Sequence, residues 1–342
     1  MHKVFAVILT YNRKGLLKRC LDAVYAQSRP CDCVIIIDNA SNDGTEKMLS
    51  EGDYPGLIVS VLKDNIGASG GYNAGLRLAY QKGADFIWAM DDDVIPEKDA
   101  LHYLMKADEE LKKKEKKAAF LISKALTETG FATNTPAVST LKNRIGYQDW
   151  PDILELGMVA VQRSTFVSIL LPRATLTQYG LPITAMFIWG EDTEFTLRVT
   201  QKTPGYLVGL SKVNHLRQED GPISILTESN PGRLKLYRYF IRNKLFISRK
   251  YYRFTFSRYG MISEFFRATR LFCTLVFKRK FNKAGIVLRG IIESIWFFPE
   301  PESADTPNEK MKTTMRLLEQ HRQEKADINE ESQGEISFRM GR

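Results

Sequence analysis

Three consecutive carboxylates, Asp91, Asp92 and Asp93, follow directly after the apolar run Phe86-Ile87-Trp88-Ala89-Met90. Adjacent like charges repel one another unless a counter-charge or a shifted pKa relieves the repulsion. A divalent metal ion would supply that counter-charge, and hard oxygen ligands suit Mg²⁺ or Mn²⁺, which complete their shells with water and substrate phosphates. The alternative is a solvated acidic turn. The triplet predicts a metal-phosphate site if neighbouring segments supply the other parts of one.

Four apolar runs indicate the sheet that would position this triplet. They cover residues 4–9, 33–37, 57–62 and 86–90. Apolar side chains recur at helical spacing after the first run, so strand and helix alternate. This alternation predicts an α/β fold with a doubly wound, mostly parallel sheet. Ligands bind such sheets beyond the carboxyl ends of the strands, where each run here leads into a polar loop.

Length and composition indicate an ordinary globular protein. At 342 residues the chain exceeds the size at which one hydrophobic core stops growing, so we expect a large domain with an appendage. The first apolar stretch ends at Leu9, too early for a signal peptide, which predicts a cytosolic start. The four cysteines are scattered, and Cys31 and Cys33 lack the two-residue spacer of zinc and redox motifs, so reduced thiols are expected.

The net charge of +9 is concentrated in one segment. Residues 230–298 hold 16 Lys and Arg against Glu264 and Glu293, together with 17 aromatic residues. This pattern predicts helices that lie on an anionic membrane surface. Charges interrupt the apolar stretches well before the roughly 20 residues that a bilayer span needs. The alternative is a helical subdomain whose aromatics form a core; nucleic-acid binding is not expected, because no recognised module accompanies the charge.

These features divide the chain into three predicted parts. Residues 1–229 form the α/β domain, residues 230–298 the helical, basic-aromatic segment, and residues 299–342 a charged tail that is disordered or loosely helical. Within the first part, residues 127–150 are polar and weakly periodic. This stretch is expected to be a long substrate-covering loop or an irregular insertion.

Four motifs, taken in chain order, resemble those of the family 2 glycosyltransferases of the GT-A fold. They are Val7-Ile8-Leu9-Thr10-Tyr11-Asn12-Arg13, Ile36-Ile37-Asp38-Asn39-Ala40-Ser41-Asn42-Asp43-Gly44-Thr45, Asn65-Ile66-Gly67-Ala68-Ser69-Gly70-Gly71-Tyr72-Asn73-Ala74-Gly75 and the Asp triplet. The resemblance covers roughly residues 3–220 and implies a Rossmann-like GT-A domain. It also implies an inverting, metal-dependent hexosyltransferase that uses a nucleotide-diphospho sugar. A nucleotidyltransferase is disfavoured, because it would need a basic, glycine-rich triphosphate loop near the N-terminus.

The resemblance assigns the donor to the ends of the first strands. Asp38 would accept hydrogen bonds from a uracil or a ribose, or else would form an N-cap or Asx turn. Thr10 and Asn12 would frame the base. The glycines of the third motif would form a pocket wall, because backbone without side chains can approach a ligand closely. Asn73 is expected to open the helix that follows. The predicted donor residues are Thr10, Asn12, Arg13, Asp38, Asn65, Gly67, Gly70, Gly71, Asn73 and Asp92.

The Asp triplet corresponds to the metal motif of this family. Asp91 and Asp93 would bind Mn²⁺ or Mg²⁺ at the donor's diphosphate, and Asp92 would contact the metal or a hydroxyl of the donor sugar. His215 is a candidate further ligand, with a purely structural histidine as the alternative. A cation is needed because a nucleoside diphosphate leaves poorly until its developing charge is neutralised.

Trp189-Gly190-Glu191-Asp192-Thr193-Glu194-Phe195 looks like the acceptor-side acidic motif of the family. Asp192 aligns best with the general base that takes the proton of the acceptor hydroxyl, and Glu191 is the alternative. Trp189 would stack on the acceptor sugar or belong to the core. Glu194 would equally suit the first turn of the helix that follows.

The identity of the sugar is a narrower prediction. The Asp triplet, Ser69-Gly70-Gly71 and His215 look more like bacterial galactofuranosyltransferases than rhamnosyltransferases, which favours UDP-galactofuranose over dTDP-rhamnose. The chain is shorter than the galactofuran polymerases, so we expect an enzyme that makes a single linkage or a short chain. The expected acceptor is a lipid-linked bacterial glycan such as O-antigen lipopolysaccharide or capsule. A peripheral position at the cytoplasmic side of the inner membrane follows, with oligomeric state left open.

One alternative belongs to another functional class. The GT-A domain could be a non-catalytic scaffold subunit of a glycan-assembly complex, whose partner performs the chemistry. Both acidic clusters argue against this reading, since a scaffold has no physical reason to keep a repulsive triplet of carboxylates.

Overall fold

The computed structural model describes residues 2–216, 224–251, 258–307 and 315–317. The strands are β1 (Val4–Thr10), β2 (Cys33–Asp38), β3 (Leu57–Leu62), β4 (Phe86–Asp91), β5 (Val94–Pro96), β6 (Leu121–Leu126), β7 (Ala137–Val138), β8 (Met158–Arg163), β9 (Ile169–Pro172), β10 (Gly205–His215) and β11 (Met315–Leu317). The helices are α1 (Lys14–Tyr25), α2 (Thr45–Glu51), α3 (Gly67–Gln81), α4 (Ala100–Lys113), α5 (Arg173–Tyr179), α6 (Glu191–Val199), α7 (Pro231–Leu234), α8 (Tyr237–Tyr251), α9 (Arg258–Phe277) and α10 (Phe281–Ile295). Single turns of 3₁₀ helix lie at Leu154–Leu156 and Thr184–Met186.

The strands of the described residues form one mixed sheet, in the order β11-β3-β2-β1-β4-β9-β6-β10-β8-β7, with β5 paired to β10. Strands β3, β2, β1 and β4 run parallel, and they are the four strands that the apolar runs predict. Strand β9 joins β4 in the antiparallel direction. The predicted α/β fold class is confirmed, and its parallel part is the half that the sequence indicates most directly.

Helices cover both faces of this parallel half. Along β1, Val4, Ala6 and Ile8 pack in one core cluster with apolar residues of α1 and α4. The intervening residues of β1 pack in a second cluster with α3. Because successive side chains of a strand point to opposite faces, an unbroken apolar run is the pattern of a strand buried on both sides.

Helix α3 packs closely on the sheet because of its glycines. An added Cβ at Gly71 would come within 2.3 Å of the Leu9 side chain, and one at Gly75 within 2.5 Å of Val7. The helix begins at Gly67, so the prediction that Asn73 opens it is wrong. Most of the glycine motif is therefore helix, and its small residues allow α3 to contact β1.

The described part of residues 230–298 is helical, as predicted. Helices α8, α9 and α10 share a small core that includes Ile241, Leu275 and Val287. Helix α8 also packs against the α/β domain, where Phe246 meets Met186. No helix within the described ranges combines the length and the hydropathy that crossing a bilayer requires. Residues 252–257 of this segment lie outside the described part of the chain.

The first residues of the predicted tail are ordered, which corrects that prediction for residues 299–307. Arg77 of α3 is fully buried, and its guanidinium donates to the carbonyl oxygens of Ser303 at 2.7 Å and Thr306 at 3.1 Å. It also pairs with Glu302 at 2.6 Å. A buried cation needs hydrogen-bond acceptors, and the polar strap formed by residues 299–307 supplies them. Beyond the strap, β11 pairs with β3; residues 308–314 and 318–342 lie outside the described chain.

Candidate active site

A cavity of about 900 Å³ lies at the carboxyl ends of β1 and β4. Residues that the sequence assigns to donor, metal, acceptor and base roles meet in this cavity, although they come from distant parts of the chain. Those in its lining are Thr10, Arg13, Asn65, Gly67, Asp91, Asp92, Asp93, Trp189, Glu191, Asp192 and His215. This is the place where open α/β sheets bind ligands.

Arg13 brings a positive charge to the Asp triplet. Its Nη1 lies 2.8 Å from Asp93 Oδ2 and 3.2 Å from Asp92 Oδ1. Thr10 Oγ1 donates a hydrogen bond to Asp92 Oδ2 at 2.7 Å, so both oxygens of Asp92 have protein partners. Burial raises the pKa of Asp92 to about 7, although Arg13 and Thr10 act in the opposite direction. Thr10 thus orients Asp92 in this arrangement.

Asp91 has a different partner. The hydroxyl of Tyr72, from α3, donates to Asp91 Oδ1 at 2.6 Å. Burial and the charge of Asp93 raise the pKa of Asp91 to about 6, while the hydrogen bond from Tyr72 lowers it. Tyr72 lies within the glycine motif, but the sequence does not single it out as part of the site.

Asp93 lies close to His215 in the lining of the cavity. Pairing of β10 with β5 sets His215 beside Val94 and brings its Nε2 to 3.3 Å from Asp93 Oδ1. The other ring nitrogen, Nδ1, lies 2.8 Å from Asn134 Oδ1. Burial acts to raise the pKa of Asp93, but His215 and Arg13 outweigh it and the pKa is lowered. Asp93 therefore stays ionised most readily among the three carboxylates.

Asp93 and His215 fit the role of two ligands of one divalent ion. Adjacent ligands about 2.0–2.1 Å from an octahedral ion lie about 3 Å apart, and Asp93 Oδ1 is a buried oxygen that lies 3.3 Å from His215 Nε2. No group of three or more His, Cys, Asp or Glu within the described ranges is placed to hold a metal by itself. Mg²⁺ typically takes one or two protein carboxylates and completes its shell with water and phosphate. The pair therefore fits an ion that also binds a diphosphate.

The end of β2 contributes Asp38 and Asn39. Asp38 is fully buried, and its Oδ1 accepts a hydrogen bond from the Ser41 N–H at 2.9 Å. Its Oδ2 has no partner among the described residues, and burial raises its pKa. Asn39 lines the cavity and bridges to the next motif, accepting from the Ile66 N–H at 3.0 Å and donating to the Gly67 carbonyl at 3.1 Å. The sequence quotes Asn39 within a motif but assigns it no role.

Two predicted donor residues shape the loops around the cavity. Asn12 adopts a left-handed φ of 53°, and its Oδ1 accepts from the Asn42 N–H at 2.7 Å. Asn65 Oδ1 accepts from the Gly67 N–H at 2.8 Å. Asn12 therefore fixes the loop after β2 against the loop after β1, whereas Asn65 fixes the start of α3.

Gly70, Gly71 and Asn73 do not line the cavity, which corrects their predicted place in its wall. Gly70 faces the side chain of Ile66, as Gly71 faces that of Leu9. Asn73 is buried, and its Nδ2 donates to the carbonyl of Pro182 at 2.8 Å. Gly67 is the glycine of this motif that reaches the cavity. The others position α3 and the segment that precedes α6.

Glu191 and Asp192 form the first turn of α6. Asp192 is partly exposed, and its Oδ1 accepts from the Thr193 N–H at 2.6 Å. Burial raises the pKa of Asp192, while Thr193 and the charge of Arg163 act against this. Glu191 is buried with Oε2 unpartnered among the described residues, and burial followed by the charge of Asp192 raises its pKa well above the ordinary value. Asp192 is therefore the better candidate base at neutral pH.

The segment before α6 is held by Asn243, a residue of α8. Its Nδ2 lies 2.9 Å, 3.1 Å and 3.0 Å from the carbonyl oxygens of Met186, Ile188 and Trp189. Phe187 and Trp189 adopt left-handed φ values of 66° and 60°, which are costly for aromatic residues. The basic-aromatic segment thus supports the acidic pair directly, a function that nothing in its local sequence indicates.

Residues 5–114 match the family model described as Glycosyl transferase family 2. The chain carries a family 2 glycosyltransferase domain. The match runs from β1 to the end of α4 and includes Arg13 and the Asp triplet. Asp192 and His215, which complete the cavity of this glycosyltransferase domain, lie beyond the match.

Curated relatives also match part of the chain. Galactofuranosyltransferase GlfT1 of Mycolicibacterium smegmatis is 36% identical over 93 residues, which are 27% of this chain and 30% of that relative. Galactofuranosyltransferase GlfT1 of Mycobacterium tuberculosis is 35% identical over 91 residues, 26% of this chain and 30% of the relative. The chain thus spans about 30% of the length of the curated relatives it matches.

Among solved structures, the crystal structure of S. aureus TarS aligns over 75% of this chain and 44% of that chain, with a TM-score of 0.42 and 18% identity. This likeness is too weak to support a statement about fold or function.

Two further residues near the candidate base, Trp189 and Glu194, contact helix α8 or the residues around it. Trp189 lines the cavity, and its ring also packs against Tyr237 with 5.0 Å between centroids. Glu194 is fully buried in α6, pairs with Arg198 at 3.1 Å and accepts from the Tyr251 hydroxyl. Glu194 therefore stabilises α6 against α8.

Proposed function

We propose that the protein is an inverting, metal-dependent glycosyltransferase that transfers a sugar from a nucleotide-diphospho donor to a glycan acceptor. The observation that carries this proposal is that one cavity of the family 2 domain holds Arg13 and the Asp triplet together with the acidic pair of α6. The first group suits a diphosphate and its metal. The second supplies a carboxylate that can remove a proton.

In the proposed reaction, Asp192 acts on the acceptor and Arg13 acts on the leaving diphosphate. Asp192 takes the proton of the acceptor hydroxyl as its oxygen bonds to the anomeric carbon, while the bond from that carbon to the diphosphate breaks on the opposite face. The nucleoside diphosphate leaves with the bonding electrons. Arg13 provides a fixed positive charge beside the leaving group, which stabilises the charge that develops there.

Mn²⁺ or Mg²⁺ is the proposed cofactor, bound by Asp93 and His215; Asp91, which the resemblance also assigns to the metal, forms no three-residue ligand group with them in the described chain. When bound, the metal would neutralise negative charge on the leaving diphosphate. Asp92, which Thr10 and Arg13 hold in place, is proposed to contact the metal or a donor-sugar hydroxyl. Oxygen ligands suit both ions, so the choice between them stays open.

UDP-galactofuranose is the proposed donor. The similarity to two proteins named galactofuranosyltransferase supports the sugar. Asp38 itself does not line the cavity, but its buried Oδ2 is unpartnered among the described residues and it directly precedes the lining residue Asn39, which supports a nucleobase or ribose contact. dTDP-rhamnose is the alternative donor.

A lipid-linked glycan at the cytoplasmic face of the bacterial inner membrane is the proposed acceptor. Large apolar residues are exposed on α9 and α10, including Phe265, Phe266 and Phe277, with exposed fractions of 50%, 67% and 89%. The exposed cations Lys278, Arg279 and Lys280 lie beside them in the chain. Apolar and cationic side chains on one set of helices suit an anionic membrane surface.

Calorimetric titration with UDP and with dTDP, each with and without Mn²⁺, tests the donor and metal assignments. We expect UDP to bind more tightly than dTDP, with an affinity that depends on Mn²⁺ and is lost in Asp93→Ala. Asp99→Ala is a matched control, because Asp99 is an exposed carboxylate outside the cavity. A preference for dTDP would select rhamnose, and absence of binding by either nucleotide would favour the scaffold alternative.

A further inference from the structure

A second cavity, of about 330 Å³, opens beside the first, between α6, α8 and α9. It shares Trp189 and Asp192 with the large cavity. Arg163, Phe240, Lys244 and Glu264 are among its other lining residues. The candidate base is therefore reached from two cavities, one of which holds none of the residues assigned to the donor nucleotide.

Two cations, Arg163 and Lys244, line this second cavity together with the carboxylates Asp192 and Glu264. Arg163, at the end of β8, is exposed, and no hydrogen bond or ion pair with other described residues involves its guanidinium. Lys244 Nζ lies 2.9 Å from Glu264 Oε2. Glu264 is shared, however, because Arg267 Nη1 lies 2.8 Å from its other oxygen. One carboxylate between two cations leaves positive charge that an anionic ligand could use.

The apolar side of the cavity is aromatic, and exposed apolar residues of α9 lie near Glu264 in the chain. Trp189 and Phe240 line the cavity, and flat apolar rings of this kind suit the faces of a sugar. Glu264 is followed directly by Phe265 and Phe266, which are half and two-thirds exposed. A ligand with a sugar, a phosphate and a lipid could therefore occupy the base, the cations and the face of α9 in that order.

We propose that this second cavity is the acceptor subsite and that Arg163 and Lys244 bind the phosphate that joins the acceptor sugar to its lipid. The inference rests on the proposed function and adds the residues that recognise the acceptor. Trp189 and Asp192 line both cavities, so an acceptor sugar in the second cavity would reach Asp192 without occupying the donor residues.

Calorimetry of the full chain tests the subsite with geranyl diphosphate as the probe. The protein is first saturated with UDP so that the donor cavity is occupied. We expect geranyl diphosphate to bind, and Arg163→Gln and Lys244→Gln each to weaken it by about tenfold or more, since each removes a charge-assisted contact. Glu264→Gln should strengthen binding, because it releases Lys244. Lys82→Gln, an exposed cation of the α/β domain, is the matched control.

Two further probes separate the sources of phosphate. Geraniol and inorganic diphosphate should each bind at least tenfold more weakly than geranyl diphosphate. Unchanged affinity in both cation variants, or an equal loss in Lys82→Gln, would overturn the subsite. So would a parallel loss of binding to phosphatidylglycerol vesicles, because the two cations would then belong to a general membrane surface.

Binding of UDP tests the donor cavity independently of the acceptor subsite. UDP should bind Arg163→Gln and Lys244→Gln as it binds the unaltered protein. If UDP does not bind the unaltered protein, the proposed function fails, whereas the response of geranyl diphosphate to the two variants still decides the subsite.

Discussion

The three carboxylates of the Asp triplet are chemically identical but have different neighbours. Asp91 accepts from Tyr72, Asp92 is held by Thr10 and Arg13, and Asp93 faces His215. Burial raises the pKa of Asp91 and Asp92 despite these contacts, whereas His215 and Arg13 outweigh burial at Asp93 and lower its pKa. The sequence could predict the cluster, but it could not divide the roles, because the dividing contacts come from strands and helices far away in the chain.

Replacement of the candidate base should abolish most of the transfer activity. We expect Asp192→Asn to lower kcat by about 10²–10⁴-fold, the usual contribution of a general base. Affinity for UDP should not change, because Asp192 lies at the acceptor side. The measurement is the release of UDP from the donor sugar in the presence of a prenyl-diphosphate-linked acceptor. Glu191→Gln is the matched variant, and near-normal turnover of Asp192→Asn with Glu191 intact would reassign the base.

Arg163 should also set the acidic limit of activity. Its positive charge favours the ionised form of Asp192 and so lowers the pKa of this carboxyl against the effect of burial. In Arg163→Gln that pKa rises, and the acidic limb of kcat against pH should move toward higher pH. Arg163→Lys keeps the charge and should leave the limb in place. A shift toward lower pH would contradict the assigned sign.

At the scale of elements, the sequence predicts those strands that are stabilised by burial of their own apolar side chains, but not the segments that are held by polar contacts with distant residues. Strands β1 to β4 were predicted because burial on both faces demands continuous apolar runs, which are visible locally. The strap at residues 299–307 was not, because it is polar and is ordered by Arg77 of α3, a contact between residues more than 220 positions apart. Asn134 and Asn243 were missed for the same reason, since their partners are distant in sequence.

Helix α8 should control catalysis through Asn243. We expect Asn243→Leu, which removes the donor but keeps similar bulk, to lower kcat by about 10- to 100-fold, because small displacements of catalytic groups have effects of this size. UDP affinity should remain unchanged, since the donor contacts lie on other elements. Kinetics and calorimetry measure the two quantities.

A merely destabilising effect of Asn243→Leu has a different signature. It would lower the melting temperature and reduce UDP binding and kcat together, as the folded fraction falls. Asn282→Leu, at an exposed position of α10, is the control for substitution in a helix of the same segment. Equal loss of kcat in the two variants would remove Asn243 from its positioning role.

At the scale of the whole molecule, charge and function are divided between two regions. The chemistry lies in the α/β domain, whereas residues 230–298 carry the excess positive charge. Two features connect these regions. Asn243 of α8 donates to the Trp189 carbonyl just before α6, and the second cavity is lined by residues of α8 and by Asp192 of α6. At the proposed membrane surface, the helices would therefore orient the cavity relative to the lipid.

Binding to anionic vesicles should depend on the exposed cations between α9 and α10. We expect the triple variant Lys278→Gln, Arg279→Gln, Lys280→Gln to lower partitioning onto phosphatidylglycerol vesicles by about 100-fold, since each basic residue near such a surface contributes about 1 kcal/mol. The difference should shrink in high salt, because screening weakens exposed charges. Sedimentation with vesicles measures the partitioning. The triple variant Lys112→Gln, Lys113→Gln, Lys114→Gln, on α4 and directly after it, removes the same charge elsewhere. Equal losses in both variants would mean that net charge, and not the surface of α9 and α10, governs attachment.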